Sequence, residues 1–93
     1  MSQLSQWLKR ERIAAGYTRD DLGRRLNLSY SYLSLIENGH AIPGKETLKR
    51  MARVFSVDVY HLMFKAGKMP DDLSCWIMEN PAVQRRLIVE FRQ

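Results

Sequence analysis

An all-α fold, five short helices with a helical C-terminal extension, is what this sequence predicts, and three observations predict it. Apolar residues recur at helical spacing and almost never alternate with period two. Glycine, asparagine, serine, threonine and aspartate punctuate the chain at short intervals, where helices need stops and caps. The length, 93 residues, allows one small domain that buries roughly 60 % of its unfolded surface, too little chain for a TIM barrel or for a dinucleotide domain with a substrate domain attached.

The first helix is expected over about Gln3 to Ala15, with Leu4, Leu8 and Ala15 on one stripe that also carries Arg12. Gly16 is its stop, because only glycine enters the left-handed region without penalty. Thr18 is an N-cap, and Asp20 and Asp21 complement the dipole of a second helix, Arg19 to Leu26. That helix buries Leu22 and Leu26 with Gly23 between them. Asn27-Leu28-Ser29 is a short turn, and Ser29 caps a third helix, Tyr30 to Asn38, ended by Gly39. A loop from His40 to Gly44 holds Pro43. The fourth helix, Lys45 to Phe55, turns Leu48, Met51, Ala52 and Phe55 inward. Asp58 caps a fifth, Val59 to Ala66, inward through Leu62 and Met63 and stopped by Gly67. Pro70 opens a short helix through Met78. Asn80-Pro81 is a cap with proline at the first helical position, after which Val83, Leu87, Ile88 and Phe91 share a face.

Charge is unevenly placed. The net charge is +5. Residues 1–69 carry 12 Lys and Arg against 6 acids, a net +6, whereas residues 70–93 carry 3 against 4, a net −1. A basic body suits a polyanion, and the near-neutral tail suits a different task. Other function classes find no support. His40 and His61 lack metal-ligand spacing, and neither GxxxxGK[ST] nor GxGxxG occurs, so neither a metal, a cofactor nor an enzymatic activity is expected. Cys75, the single cysteine, has no identifiable base and is expected to be a small buried residue; its solitude points to a reducing cytoplasm. No apolar run approaches the roughly 18–20 residues of a membrane span, and the polar start lacks a secretory h-region.

Thr18–Leu26 and Ser29–Asn38 form a candidate helix-turn-helix. Helices crossing near a right angle need one very small residue at the crossing, which Gly23 supplies. Leu22, Leu26, Leu28, Leu33 and Ile36 would make the internal contact. The second helix keeps an outward face of Tyr30, Ser31, Ser34 and Leu35, the set that a major groove would receive.

On these residues the resemblance becomes plain. The stretches LKRERIAAGYTRDDLGRRL, NLSYSYLSLIENG and AIPGKETLKRMARVF, within Leu4 to Phe64, resemble the helix-turn-helix domain of the Cro/C1-type (XRE) family of phage, plasmid and bacterial regulators. They cover about two-thirds of the chain. The resemblance implies a lambda-repressor-like five-helix DNA-binding domain over residues 1–67, a helical tail over 68–93, and double-stranded DNA as partner. Two positions depart from the family pattern: Arg19 stands where glutamine is usual, keeping a phosphate-directed donor, and Gly23 where alanine is usual, at a helix cost of about 1 kcal/mol.

Residue roles follow from the same resemblance. Tyr30, Ser31, Ser34 and Leu35 would face bases, with Leu35 limited to apolar surface such as a thymine methyl. Thr18, Arg19, Tyr32, Asn38, His40, Gly44 and Lys45 would contact or neighbour the DNA backbone, setting register without reading sequence. Arg12 and Glu37 would form a buried structural ion pair. The plainer alternatives are that Tyr30 and Tyr32 merely cover the helix, that Arg24 and Arg25 are a solvated face, and that Trp7 is packing.

One recognition helix covers few base pairs, so a two-fold dimer reading half-sites about 34 Å apart is expected. The available apolar surfaces are Met63 and Phe64 at the end of the fifth helix and Leu73, Trp76, Ile77, Leu87 and Phe91 in the tail, with Val83 and Ile88 beside them. Alternatively the tail completes a monomer core. The overall expectation is a repressor or autoregulator on a palindromic operator, controlled by its own concentration, a protein partner or competition for sites. The competing class is a protein-interaction module, such as an antitoxin or antirepressor, that uses the same fold as a scaffold and the tail for docking.

Overall fold

Local hydrogen bonds at the helix ends decide where this chain breaks. The computed structural model describes residues 3–93; residues 1 and 2, the start of the expected first domain, lie outside the described residues. Those described form seven helices and no strand: α1 (Gln3–Ala14), α2 (Arg19–Leu26), α3 (Tyr30–Glu37), α4 (Lys45–Phe55), α5 (Val59–Lys65), α6 (Asp71–Met78) and α7 (Pro81–Arg92). Thr18 and Asp21 close a reciprocal capping box at the start of α2, the hydroxyl accepting from the Asp21 amide at 3.1 Å and the carboxylate from the Thr18 amide at 3.0 Å. Ser29 accepts from the Tyr32 amide, Asp58 from Tyr60 and Asn80 from Val83. Each cap satisfies an amide that the helix itself leaves unpaired.

The core lies within α1–α5. Leu4 and Leu8 of α1, Leu22 and Leu26 of α2, Leu33 and Ile36 of α3, Leu48 and Met51 of α4, and Leu62 and Met63 of α5 are all buried. α3 packs on α1 and α2, α4 on α2 and α5, and α5 on α1. An aromatic seam closes one side. Trp7 meets Phe55 edge to face at 5.5 Å, Tyr17 lies 6.5 Å from the same ring, and the Arg25 guanidinium sits 4.5 Å over Tyr17. Trp7 is therefore packing.

α6 and α7 pack on each other and contribute no buried side chain. The shape follows. The radius of gyration is 15.6 Å, against about 12 Å for a compact globule of this length. The long dimension is 46 Å, about twice the other two.

Three expectations need correction. Ala15 is exposed rather than part of the buried α1 stripe, because the helix ends at Ala14 and the chain turns away through Gly16 in the left-handed region (φ 78°). Met63 is buried in the core at 4 % exposure and is therefore unavailable for docking, whereas Phe64, one helical step round α5, is half exposed. Cys75 is exposed, since α6 leaves that side uncovered.

Candidate nucleic-acid interface

The α2–α3 crossing depends on an atom that is not there. A Cβ built at Gly23 would lie 2.8 Å from the Leu28 carbonyl oxygen, closer than real side chains approach. The Leu28 amide donates to the Gly23 carbonyl at 2.8 Å, so the turn is drawn directly onto the α2 backbone. α3 then buries Leu33, Ile36 and Glu37 and leaves its other side in solvent.

That free side carries the residues expected to face bases. Tyr30, Ser31 and Leu35 are exposed; Ser34 is half-buried, and its hydroxyl accepts from Asn38 Nδ2 at 3.4 Å. Of the backbone set, Thr18, Asn38, His40, Gly44 and Lys45 are exposed. Tyr32 is half-buried against the core, and the Thr18 hydroxyl already serves the α2 cap. Gly44 caps α4 without a side chain, and the His40 amide donates to the Leu35 carbonyl, fixing the loop to the end of α3. Among the described residues no group of three or more His, Cys, Asp or Glu forms a metal site, and no helix is long and apolar enough to cross a membrane.

Beneath α3 lies a charge cluster. The Glu37 side chain is fully buried. Arg12 grips it bidentately, Nε to Oε2 at 2.8 Å and Nη2 to Oε1 at 3.2 Å, and donates its third nitrogen to the Tyr17 carbonyl at 3.0 Å. Arg19 joins the same carboxylate, Nε to Oε1 at 3.3 Å, and extends Nη1 to the Tyr30 hydroxyl at 3.5 Å. The Tyr30 hydroxyl first and Glu37 second hold the Arg19 guanidinium still more firmly protonated than usual. Arg19 thus bridges the buried carboxylate and the first residue of α3, a link that sequence reasoning missed. Its only signal was a second arginine near a carboxylate able to accept two partners.

The remaining cations divide. Arg24 pairs with Asp21 at 2.9 Å in solvent, Arg50 donates to the Leu26 carbonyl and Arg53 to that of Lys49. Lys45 is not free: its Nζ lies 3.3 Å from Asp71 Oδ2 at the start of α6. Nothing in the sequence pattern linked those two positions.

Comparison with known proteins agrees with this geometry. A family model described as helix-turn-helix matches residues 8–62, more than half of the chain and the whole of α2–α4. No curated protein matches. A chain of the solved SinR protein/SinI protein complex is similar in fold, with a TM-score of 0.59 and 22 % identity over 96 % of this chain and 93 % of that one. The fold is lambda-repressor-like. With the family match spanning the capped, glycine-crossed α2–α3 pair and the exposed face of α3, the chain belongs to the Cro/C1-type (XRE) helix-turn-helix family of DNA-binding transcription regulators.

Proposed function

We propose that the protein is a repressor or autoregulator that binds a short palindromic operator as a homodimer, with α3 in the major groove. In this reading residues 1–67 are the DNA-binding domain and residues 68–93 the dimerisation segment. The observation that carries it is the division of α3. Leu33, Ile36 and Glu37 anchor the helix inside, while Tyr30, Ser31 and Leu35 are exposed, with Arg19 on the Tyr30 hydroxyl, and Thr18, His40 and Lys45 are exposed as well. Base edges would meet hydroxyl and apolar groups, and phosphates would meet the flanking cations and the Gly44 turn. Support for the dimer comes from the tail: Trp76, Leu87, Ile88 and Phe91 are exposed apolar side chains on a hairpin that adds nothing to the core.

Selection of duplexes from a random pool by the purified protein tests this directly. The expected result is a two-fold symmetric motif with half-site centres about 10 base pairs apart. An enriched single half-site, or no enrichment, would contradict it.

A second reading is favoured by one observation. The structurally similar chain comes from a complex of two different proteins, and the likeness extends through the tail. Under that reading the α6–α7 surface docks a partner protein, as in antitoxins or antirepressors. Absence of a salt-sensitive shift with the protein's own promoter DNA would favour it.

A further inference from the structure

The tail leaves the body close to the end that carries the α4 N-terminus, and three contacts seat it there. Lys68 Nζ donates to the Pro43 carbonyl at 3.0 Å, and both Pro43 and Pro70 are fully buried. The Tyr60 hydroxyl donates to the Asp72 carboxylate. Lys45 Nζ pairs with Asp71 Oδ2. The third contact differs in kind, because it occupies a cation for which DNA would have another use.

We propose that Asp71 is a further determinant of DNA affinity. In the free protein its carboxylate holds the place on Lys45 that a phosphate oxygen takes in the complex. The inference rests on the reading of Lys45 as a backbone contact. The pair is built to exchange: the Lys45 side chain is 52 % exposed and that of Asp71 90 %, so each is well solvated and the pair holds weakly. A strand carrying many phosphates displaces a single carboxylate. The displaced carboxylate takes up a cation from solution as the phosphate gives one up, which offsets part of the gain from Lys45 and does so only while Lys45 is present to be shared. Lys45 therefore releases less than one counterion's worth of affinity. The neighbouring charges do not substitute for it, since Glu46 pairs with Lys49 and Asp72 with Tyr60. Because Asp71 opens α6, the seat of the tail and the DNA backbone draw on the same ammonium group.

Asp71 also complements the α6 dipole, where Pro70 provides no side-chain cap. That role would affect α6 alone and would not depend on Lys45. A double-mutant cycle separates the two. Affinity for a non-specific duplex is measured by fluorescence anisotropy across a salt series for the wild type, Asp71→Asn, Lys45→Ala and the double variant, with Glu79→Gln at the far end of α6 as the charge-matched control. Asp71→Asn is expected to tighten binding by up to about fivefold and to steepen the log–log salt slope by up to about 0.9. In the Lys45→Ala background it is expected to do neither, and Glu79→Gln alone is expected to have a smaller effect than Asp71→Asn alone. An unchanged Asp71→Asn protein, an equal gain without Lys45, or an equal gain from Glu79→Gln would each overturn the role of Asp71 alone. Loss of salt-sensitive duplex binding by the wild type would overturn the DNA reading and this inference together.

Discussion

Arg19 and Glu37 are joined at 3.3 Å on a carboxylate that Arg12 already grips at 2.8 Å. One buried negative charge thereby anchors α1, the start of α2 and α3 together. Its removal strands two guanidinium groups, each less than a third exposed. Breaking such a buried set costs roughly 3–5 kcal/mol, so Glu37→Ala should lower stability by that order. Arg12→Ala should cost less, because Arg19 remains on the carboxylate. Urea midpoints at constant slope measure both. Equal losses would show that Arg19 contributes nothing to the cluster.

The residues proposed to face bases and those proposed to face the DNA backbone should separate in binding experiments, with Arg19 between them. Tyr30→Ala and Ser31→Ala should relax sequence preference, by about 1–3 kcal/mol where a contact is well made, and leave non-specific binding intact. A free phosphate-binding cation would give a slope change of about one unit on removal. Arg19→Ala should give less than that, because Glu37 already offsets part of its charge, and it should also relax preference at the bases near Tyr30. Specific and scrambled duplexes titrated across salt check this. A full unit of slope lost with preference unchanged would make Arg19 a simple phosphate clamp.

What was legible in the sequence is what short-range chemistry controls. Thr18, Ser29, Asp58 and Asn80 cap amides two or three residues ahead, so the helix starts could be read locally. Side-chain direction was harder, because one residue turns a helix by about 100°. That step separates buried Met63 from exposed Phe64. Arg12 and Glu37, 25 residues apart, were paired through family resemblance and not through spacing. Lys45–Asp71 and Lys68–Pro43 were not legible, since they depend on the direction in which the chain leaves Gly67 and enters α6. Neither helix periodicity nor a cap encodes that direction.

Gly23→Ala tests the close crossing of α2 and α3. In an exposed helix the change would gain about 1 kcal/mol. Here the new methyl meets the Leu28 carbonyl at 2.8 Å, and the Asn27–Ser29 turn must move outward. Overpacking of this kind costs about 1–3 kcal/mol, so the expected net effect is a loss of up to about 2 kcal/mol and a lower Tm. A raised Tm would mean that the turn yields freely.

The seat of the tail should depend on pH at both extremes. The Tyr60 hydroxyl, and after it the Leu73 amide, holds the Asp72 carboxyl below the usual carboxylate value, and the same bond raises the Tyr60 phenol. A depressed acid contributes stability above its unfolded value of 3.8 and loses it as pH falls through the folded one; a raised phenol contributes below 10.0 and loses it as pH rises through its folded value. The stability difference between wild type and Tyr60→Phe should therefore be present at neutral pH and vanish in strong acid and strong base. A difference independent of pH would place the effect in packing.

Charge placed on the tail should separate assembly from folding. Leu87 is 45 % exposed, Ile88 47 % and Phe91 89 %, and α7 buries nothing in the body. Ile88→Asp should therefore leave the thermal unfolding of the α1–α5 core within about 0.5 kcal/mol of wild type, as surface changes do. If the same face joins two copies, the variant should sediment as a monomer at concentrations where the full chain is a dimer. It should then bind a palindromic site with the affinity of one half-site, because the second contact is no longer held at high effective concentration. A large loss of core stability would show instead that the tail completes the monomer, and a full-length chain that is already monomeric at tens of micromolar would remove the dimer from the mechanism.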